Sequence, residues 1–224
     1  MDARKQISCG TRFERDGRRE GYRSIAGVDE VGVGALFGPV VAAAVILDPA
    51  RPLRGIQDSK QLAPEVREKL SREIRRSALA WAVGSVDAAA IDQINIYQAS
   101  RLAMKQAVLG LNPAPDLVLV DARRLDLDIP QISIIRGDAI SVSIAAASIV
   151  AKVERDSLMR EWDRLFPQYG LARHKGYSTP AHKKILLELG PTPLHRRSYA
   201  PVRAAEKNLR PDQLPFPAFT TTEA

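Results

Sequence analysis

Asp29 and Glu30 stand side by side in the stretch GVDEVGVGALFGPVVAAAVIL, at the end of a short apolar approach made by Ile25, Ala26 and Val28. Two adjacent carboxylates repel, and burying them costs several kcal/mol unless a positive group lies between them. The pair is therefore either exposed or arranged about a cation. Two further acids end apolar runs: Asp121 closes PDLVLVD, and Asp138 follows QISIIRG. One such aspartate is ordinarily a turn former or a helix cap. Four acids in equivalent places ask for a common reason. No His or Cys lies near them in sequence, and an all-oxygen set selects a hard cation, Mg²⁺ or Mn²⁺, over Zn²⁺. Two such ions about 4 Å apart activate a water and stabilise a leaving oxygen in phosphodiester hydrolysis. The acids alone thus point to a metal-dependent phosphodiesterase acting on nucleic acid.

Other residues suit the same substrate class. The run GVGALFG misses the GxGxxG spacing of a dinucleotide site and leads into a strand pattern, and no GxxxxGK[ST] loop exists. Gly32 and Gly34 instead allow backbone amides to approach a ligand, or simply turn the chain between two strands. Lys60 lies in the loop DSKQL, Lys175 and Tyr177 in HKGYST, and Ser148 and Lys152 share a helix face at i, i+4. Lysine and serine position phosphates, and tyrosine stacks on a sugar or base. Taken singly, each lysine also reads as a solvated surface charge, and Tyr177 as a tyrosine at the edge of the core.

These positions need elements to hold them. SIAGVDE, PVVAAAVIL, WAVGSVD, PDLVLVD and QISIIRGD read as strands, the fourth as one buried on both faces. PEVREKLSREIRRSALA carries proline at a helix start, INIYQASRLAMKQAVLG has helical spacing and stops at glycine, and a long helix runs from Ile140 to about Phe166. The alanines and serine of SIAAASIVAK let that helix approach a neighbour closely. ARHKGYSTPAHKK reads as a basic loop leading into a short helix, HKKILLELG. Alternating strands and helices argue for a mixed α/β sheet covered by helices, and such folds place sites at the carboxyl ends of strands. One difficulty is internal to the pattern: adjacent strand residues point to opposite faces, so Glu30 needs a twist or break to join Asp29.

The chain has 224 residues and a formal net charge of +7, with a pI near 9.7. That is one core's worth of chain, and its basic balance favours a polyanionic partner. Its one cysteine, Cys9, excludes an internal disulfide and a CxxC zinc site. No secretory signal or membrane-length apolar run is found, so a cytoplasmic protein with no membrane partner is expected. Residues 1–23 read as a loosely ordered basic arm, 24–203 as the catalytic domain, and 204–224 as a loose polar tail.

GVDEVGVGALFGPVVAAAVIL, DSKQL, LVLVDA, IIRGDAISVSIAAASIVAKVERD, HKGYST and LHRRSYAPV occur in the order seen in bacterial ribonuclease HII, the type 2 ribonuclease H. The resemblance spans about Ile25 to Val202. It implies a ribonuclease H-like α/β fold with a helical C-terminal part and Mn²⁺ or Mg²⁺ as cofactor. It implies hydrolysis of the RNA strand of RNA–DNA hybrids and incision 5′ to single ribonucleotides in duplex DNA, leaving 3′-hydroxyl and 5′-phosphate, by a monomer. Carried over by motif, Asp29, Glu30, Asp121 and Asp138 are the metal-holding catalytic acids, with Asp156 of KVERD structural. The Gly32–Gly34 backbone and Tyr177 sense the ribose 2′-hydroxyl, and Lys60, Ser148, Lys152 and Lys175 contact phosphate or backbone. Two departures stand out. Val33 occupies the place of the family's usual arginine, a phosphate contact, and Ala122 follows Asp121 where glycine is common. Two other readings stay open: a hybrid-binding protein with catalysis weakened at Val33, or another metal nuclease of the same superfamily.

Overall fold

The strand patterns form one five-stranded sheet in the computed structural model, which describes residues 9–208. The strands are β1 (Ile25–Val31), β2 (Val40–Ile46), β3 (Ala80–Val86), β4 (Leu117–Asp121) and β5 (Gln131–Ile134). Their order is β3-β2-β1-β4-β5. β1 runs antiparallel to β2 and parallel to β4, and β4 runs parallel to β5. The helices are α1 (Arg12–Arg19), α2 (Pro64–Ser77), α3 (Ala88–Leu109), α4 (Gly137–Ile140), α5 (Val142–Leu165), α6 (Leu171–His174), α7 (Pro180–Leu189) and α8 (Ala200–Asn208).

Every residue of β2 is buried, because both faces of the sheet are covered. Ala26, Val28, Ala42, Ala44, Val118 and Val120 pack with the α3 residues Ala99, Ala103 and Met104 on one face. Ala43 and Val45 pack with α5 on the other, where Ile25, Leu117 and Leu119 meet Ile144. The close approach expected of the Ala/Ser segment is made at Gly27: a Cβ there would lie 2.1 Å from the carbonyl carbon of Ser143.

Four boundaries differ from the sequence reading. The long helix is interrupted at Ser141, whose Oγ accepts from the amide of Ile144 (3.3 Å), so α4 and α5 are separate. The helix expected from Ile94 starts at Ala88 and is broken at Asn95 (φ 65°). Asn95 Oδ1 accepts from the amides of Tyr97 and Gln98 at 3.0 and 3.1 Å and so restarts the helix as an internal cap. The arm and tail are also more ordered than expected. α1 falls inside the predicted arm and buries Glu14 and Gly17. α8 takes in Ala204–Asn208 of the predicted tail, with Val202 and Ala205 packed on Leu36 and Leu186. The rest of the arm, residues 1–8, and of the tail, 209–224, lie outside the described residues.

Candidate active site

The register of the sheet brings the first two strand-end acids together. Val28 pairs with Val120 across β1 and β4, so one step further Asp29 lies beside Asp121. Both continue the alternation onto the α5 face. Asp29 is 5% exposed, and its Oδ1 accepts from the amide of Glu30 (2.7 Å). Asp121 Oδ1 accepts from the amide of Gly137 (2.7 Å), which ties the end of β4 to the start of α4. Asp138, in the first turn of α4, is bonded through Oδ2 to Lys60 Nζ at 3.0 Å.

Glu30 obeys the alternation and faces the α3 side. There Arg123 holds its Oε1 through Nε at 3.2 Å and Nη2 at 3.0 Å, while Oε2 is buried without a partner. Arg123 also lies over the Tyr97 ring, 5.1 Å from its centroid. Ala122 reaches this geometry at φ 48°, the left-handed region that glycine enters freely and alanine at a cost of about 1–2 kcal/mol.

The four carboxylates feel one another. Burial, then Glu30 and Asp121, push the Asp29 carboxyl well above its ordinary value, with Asp138 adding and a hydrogen bond from Ser148 opposing. Burial raises Glu30 against the opposing charge of Arg123. It raises Asp121 against the Gly137 amide, with Asp138 adding to the rise. Acids so crowded are stabilised by positive charge, which here comes from Lys60 and Arg123. Among the described residues, no three His, Cys, Asp or Glu side chains form a finished cation cage, since each carboxylate is turned onto a different partner. The donor set nonetheless fits a hard divalent cation: it is all oxygen, mutually repelling, and contains an orphaned buried oxygen on Glu30.

The glycine loop is built from below by two fully buried arginines that sequence reasoning did not single out. Arg155 donates to the carbonyls of Pro39 (3.1 Å), Lys175 (2.8 Å) and Phe37 (3.0 Å). Arg196 donates to those of Gly38 and Val33, both at 2.9 Å. Neither is marked in the sequence: Arg155 sits among charges in KVERD, and Arg196 follows His195 and precedes Arg197 in LHRRSYAPV. Gly32 and Gly34 serve different ends. Gly32 sits at φ 93°, and a Cβ on it would lie 2.2 Å from Arg155 Nε; a Cβ on Gly34 would meet nothing within 4 Å. Gly34 thus leaves open space beside the exposed backbone. Val33 is half-buried against the α3 side of the core.

The remaining predicted contacts spread around this loop. Tyr177 forms a β-bridge with Ala35, which sets its ring near the loop, with Lys152 Nζ 5.7 Å and Arg155 Cζ 5.3 Å from the ring centre. Lys152 is paired to Asp156 at 2.6 Å, and Asp156 also faces Arg67 at 3.6 Å, a structural role for Asp156. Ser148 lies beneath Asp29, 2.9 Å from Ser59 Oγ. Lys175 turns its Nζ onto the carbonyl of Ala172.

Behind Tyr177 lies a relay of two histidines with a third stacked on it. The Thr192 amide donates to His195 Nδ1 (2.9 Å), His195 Nε2 donates to His182 Nε2 (3.1 Å), and His182 Nδ1 donates to the Tyr177 carbonyl (3.0 Å). His174 stacks on His182 at 4.3 Å. This pattern closes only with neutral rings. Burial lowers His182 to about 4 and His195 to about 3. Folding therefore gains most from the relay above the unfolded value of about 6.5 and loses that gain as pH falls toward 4. Ring carbon shifts in an NMR titration are expected to stay those of neutral imidazole for both residues down to pH 5; a midpoint near 6.5 for either would break the relay as drawn.

The family model for ribonuclease HII matches residues 26–202. The chain is 59% identical over 198 residues to a ribonuclease HII of Koribacter versatilis, covering 88% of this chain and 78% of that one. It is 59% identical over 199 residues to one of Solibacter usitatus, covering 89% and 87%. Among solved structures, the ribonuclease H2 of Pyrococcus horikoshii superposes with a TM-score of 0.73 at 28% identity, covering 83% of this chain and 98% of that one.

Proposed function

The chain belongs to the ribonuclease HII family and is a divalent-metal-dependent endoribonuclease acting on RNA–DNA hybrids, and on that premise we propose which residues do the work. Asp29, Glu30, Asp121 and Asp138 are the catalytic acids and would hold Mn²⁺ or Mg²⁺. The observation that carries this assignment is their convergence at one end of the sheet from three separate segments, with Asp29 pushed up by burial and by the neighbouring acids. A bound divalent cation supplies a polarised water and charge for the leaving 3′-oxygen. The chain's own part is to hold four carboxylates at one strand edge despite their repulsion. Lys60 and Arg123 balance that charge, and Arg155 and Arg196 fix the loop beside it. The protein also incises 5′ to a single ribonucleotide in duplex DNA. The open backbone at Gly34 and the Tyr177 ring read the 2′-hydroxyl, the group that separates RNA from DNA. Lys60, Lys152, Lys175 and Ser148 line the phosphate path. A monomeric, cytoplasmic enzyme completes the proposal; no helix among the described residues is long and apolar enough to cross a membrane.

The test is cleavage of two labelled duplexes, one DNA with a single ribonucleotide and one a full RNA–DNA hybrid, each with Mn²⁺ and with Mg²⁺. Incision 5′ to the lone ribonucleotide is expected. Cutting of the hybrid alone would remove the proposed reading of the junction.

Val33 gives a second expectation. Its carbonyl is fixed by Arg196 and by Tyr199 Oη (2.6 Å), so the backbone does not depend on its side chain. A charged phosphate contact contributes about 1.5–3 kcal/mol. Val33→Arg should therefore raise kcat/KM by about tenfold or more, and no gain would detach position 33 from phosphate binding.

A further inference from the structure

We propose that residues 9–14 form a clamp that positions Asp138, with Glu14 as its positioning residue; this rests on Asp138 being a catalytic acid. The four-residue α4 that carries Asp138 is too short to hold its own shape. It is entered through Arg136 in the left-handed region (φ 56°) and left through Ser141. Both ends are gripped by the segment before β1. Cys9 Sγ donates to the backbone carbonyl of Asp138 itself (3.2 Å). The Gly10 amide donates to the Ile140 carbonyl (3.2 Å), and the Val142 amide returns a bond to the Gly10 carbonyl (3.0 Å).

Glu14 completes the grip from α1. It is 2% exposed, and its Oε1 accepts from Ser141 Oγ (2.7 Å) and from the Ser143 amide (3.0 Å). The free amides and dipole of the first turn of α5 favour an anion at this place. The placement is costly all the same, because its Oε2 is buried without a partner. A neutral cap would hold α5 at lower cost; a carboxylate that bonds both Ser141 and Ser143 fixes the joint between α4 and α5. α1 is seated for this by Phe13 and Tyr22 on the cluster of Ile25, Leu117 and Ile144. It is also seated by Gly17, where a Cβ would lie 2.8 Å from Leu117. The gripping segment, residues 9–22, precedes residue 26, where the family match begins, whereas the residues it grips lie within that match.

The test uses the full chain. Mn²⁺ binding is followed by electron paramagnetic resonance of the free ion, alongside the single-turnover rate on an RNA–DNA hybrid, KM and the melting temperature. Residues that orient metal ligands typically change metal affinity or activity ten- to a hundredfold. Glu14→Ala is expected to raise the Mn²⁺ midpoint and lower the single-turnover rate by about tenfold each, with KM within about twofold of the parent. Glu14→Asp, which retracts the carboxylate, should lose less in the same direction, and decides the matter if Glu14→Ala does not fold. Ile74→Val, at a fully buried site in the core, lowers stability without removing any hydrogen bond of the clamp and should leave midpoint and rate at parental values. Parental midpoint and rate in a folded Glu14 variant would overturn the clamp. So would losses no larger than those of Ile74→Val. Asp138→Asn is run beside them: if it cleaves normally, the reading of Asp138 falls, which is a different failure from a silent Glu14.

Discussion

Asp29→Asn is expected to abolish cleavage, by about a thousandfold or more, and at the same time to melt higher than the parent. The two effects have one origin. Asp29 is buried among Glu30, Asp121 and Asp138, and its carboxyl is pushed up by that burial and those charges. An asparagine keeps the acceptor for the Glu30 amide, now 2.7 Å from Oδ1, and removes the repulsion. A gain of about 1 kcal/mol corresponds to about 2–4 °C in a chain of this size. The sign in pH follows from the raised value. Between the unfolded carboxylate value near 4 and the higher folded one, the folded parent binds more protons than the unfolded chain, so it loses stability as pH rises. The advantage of Asp29→Asn is therefore largest at neutral pH and vanishes below about pH 4. Divalent cation should reverse it, because an ion that binds only the folded parent stabilises that parent by mass action. Melting in chelator and in Mn²⁺ checks both halves. Turnover within tenfold of the parent would take Asp29 out of the chemistry, and an unchanged melting temperature in chelator would take the repulsion out of the account.

Much of this site was legible because strands advertise both their faces and their ends. Asp29 and Asp121 each close an apolar run, and the period of two that buries Val28 and Val120 on the α3 side places both acids on the other face. The same rule anticipated the difficulty with Glu30, whose side chain leaves on the opposite face from that of Asp29 and is held there by Arg123. Its partner Arg123 was not legible. It arrives through Ala122 at φ 48°, a conformation that no alanine advertises. The α1 segment was hidden for a different reason. RFERDGRR is polar almost throughout, and what it buries is a glutamate and a glycine. Composition reads such a segment as an arm; only the amide ends of α5 and the shape beneath Gly17 make it a helix with a seat. The kink at Asn95 belongs to the same class, since an asparagine inside a helical pattern gives no sign that its side chain will cap the next turn.

Replacing Arg155 should damage the fold and the selectivity by separable amounts. Burial lowers its guanidinium to about 10, which still leaves it charged at neutral pH. It is fully buried, and its three bonds join the chain at Phe37 and Pro39 to the turn at Lys175. Gly32 lies against its Nε, and the ring of Tyr177 faces it at 5.3 Å. Arg155→Met fills the volume and leaves three carbonyls without donors. At about 1–3 kcal/mol for each, the loss is at least about 3 kcal/mol, or about 6–12 °C in melting temperature. Arg155→Lys keeps the charge but replaces a planar fork with a single point, which cannot span all three carbonyls. That variant should fold, with the glycine loop and Tyr177 no longer held in one frame. Hydrolysis of a full hybrid, where many ribonucleotides offer themselves, should then fall less than incision at a lone ribonucleotide, where the 2′-hydroxyl must be found at one position. We expect the ratio of kcat/KM for the two substrates to shift toward the hybrid by about tenfold, one lost hydrogen-bonded contact's worth. Equal losses on both substrates would mean that Arg155 holds the fold alone and that the loop's discrimination is set elsewhere.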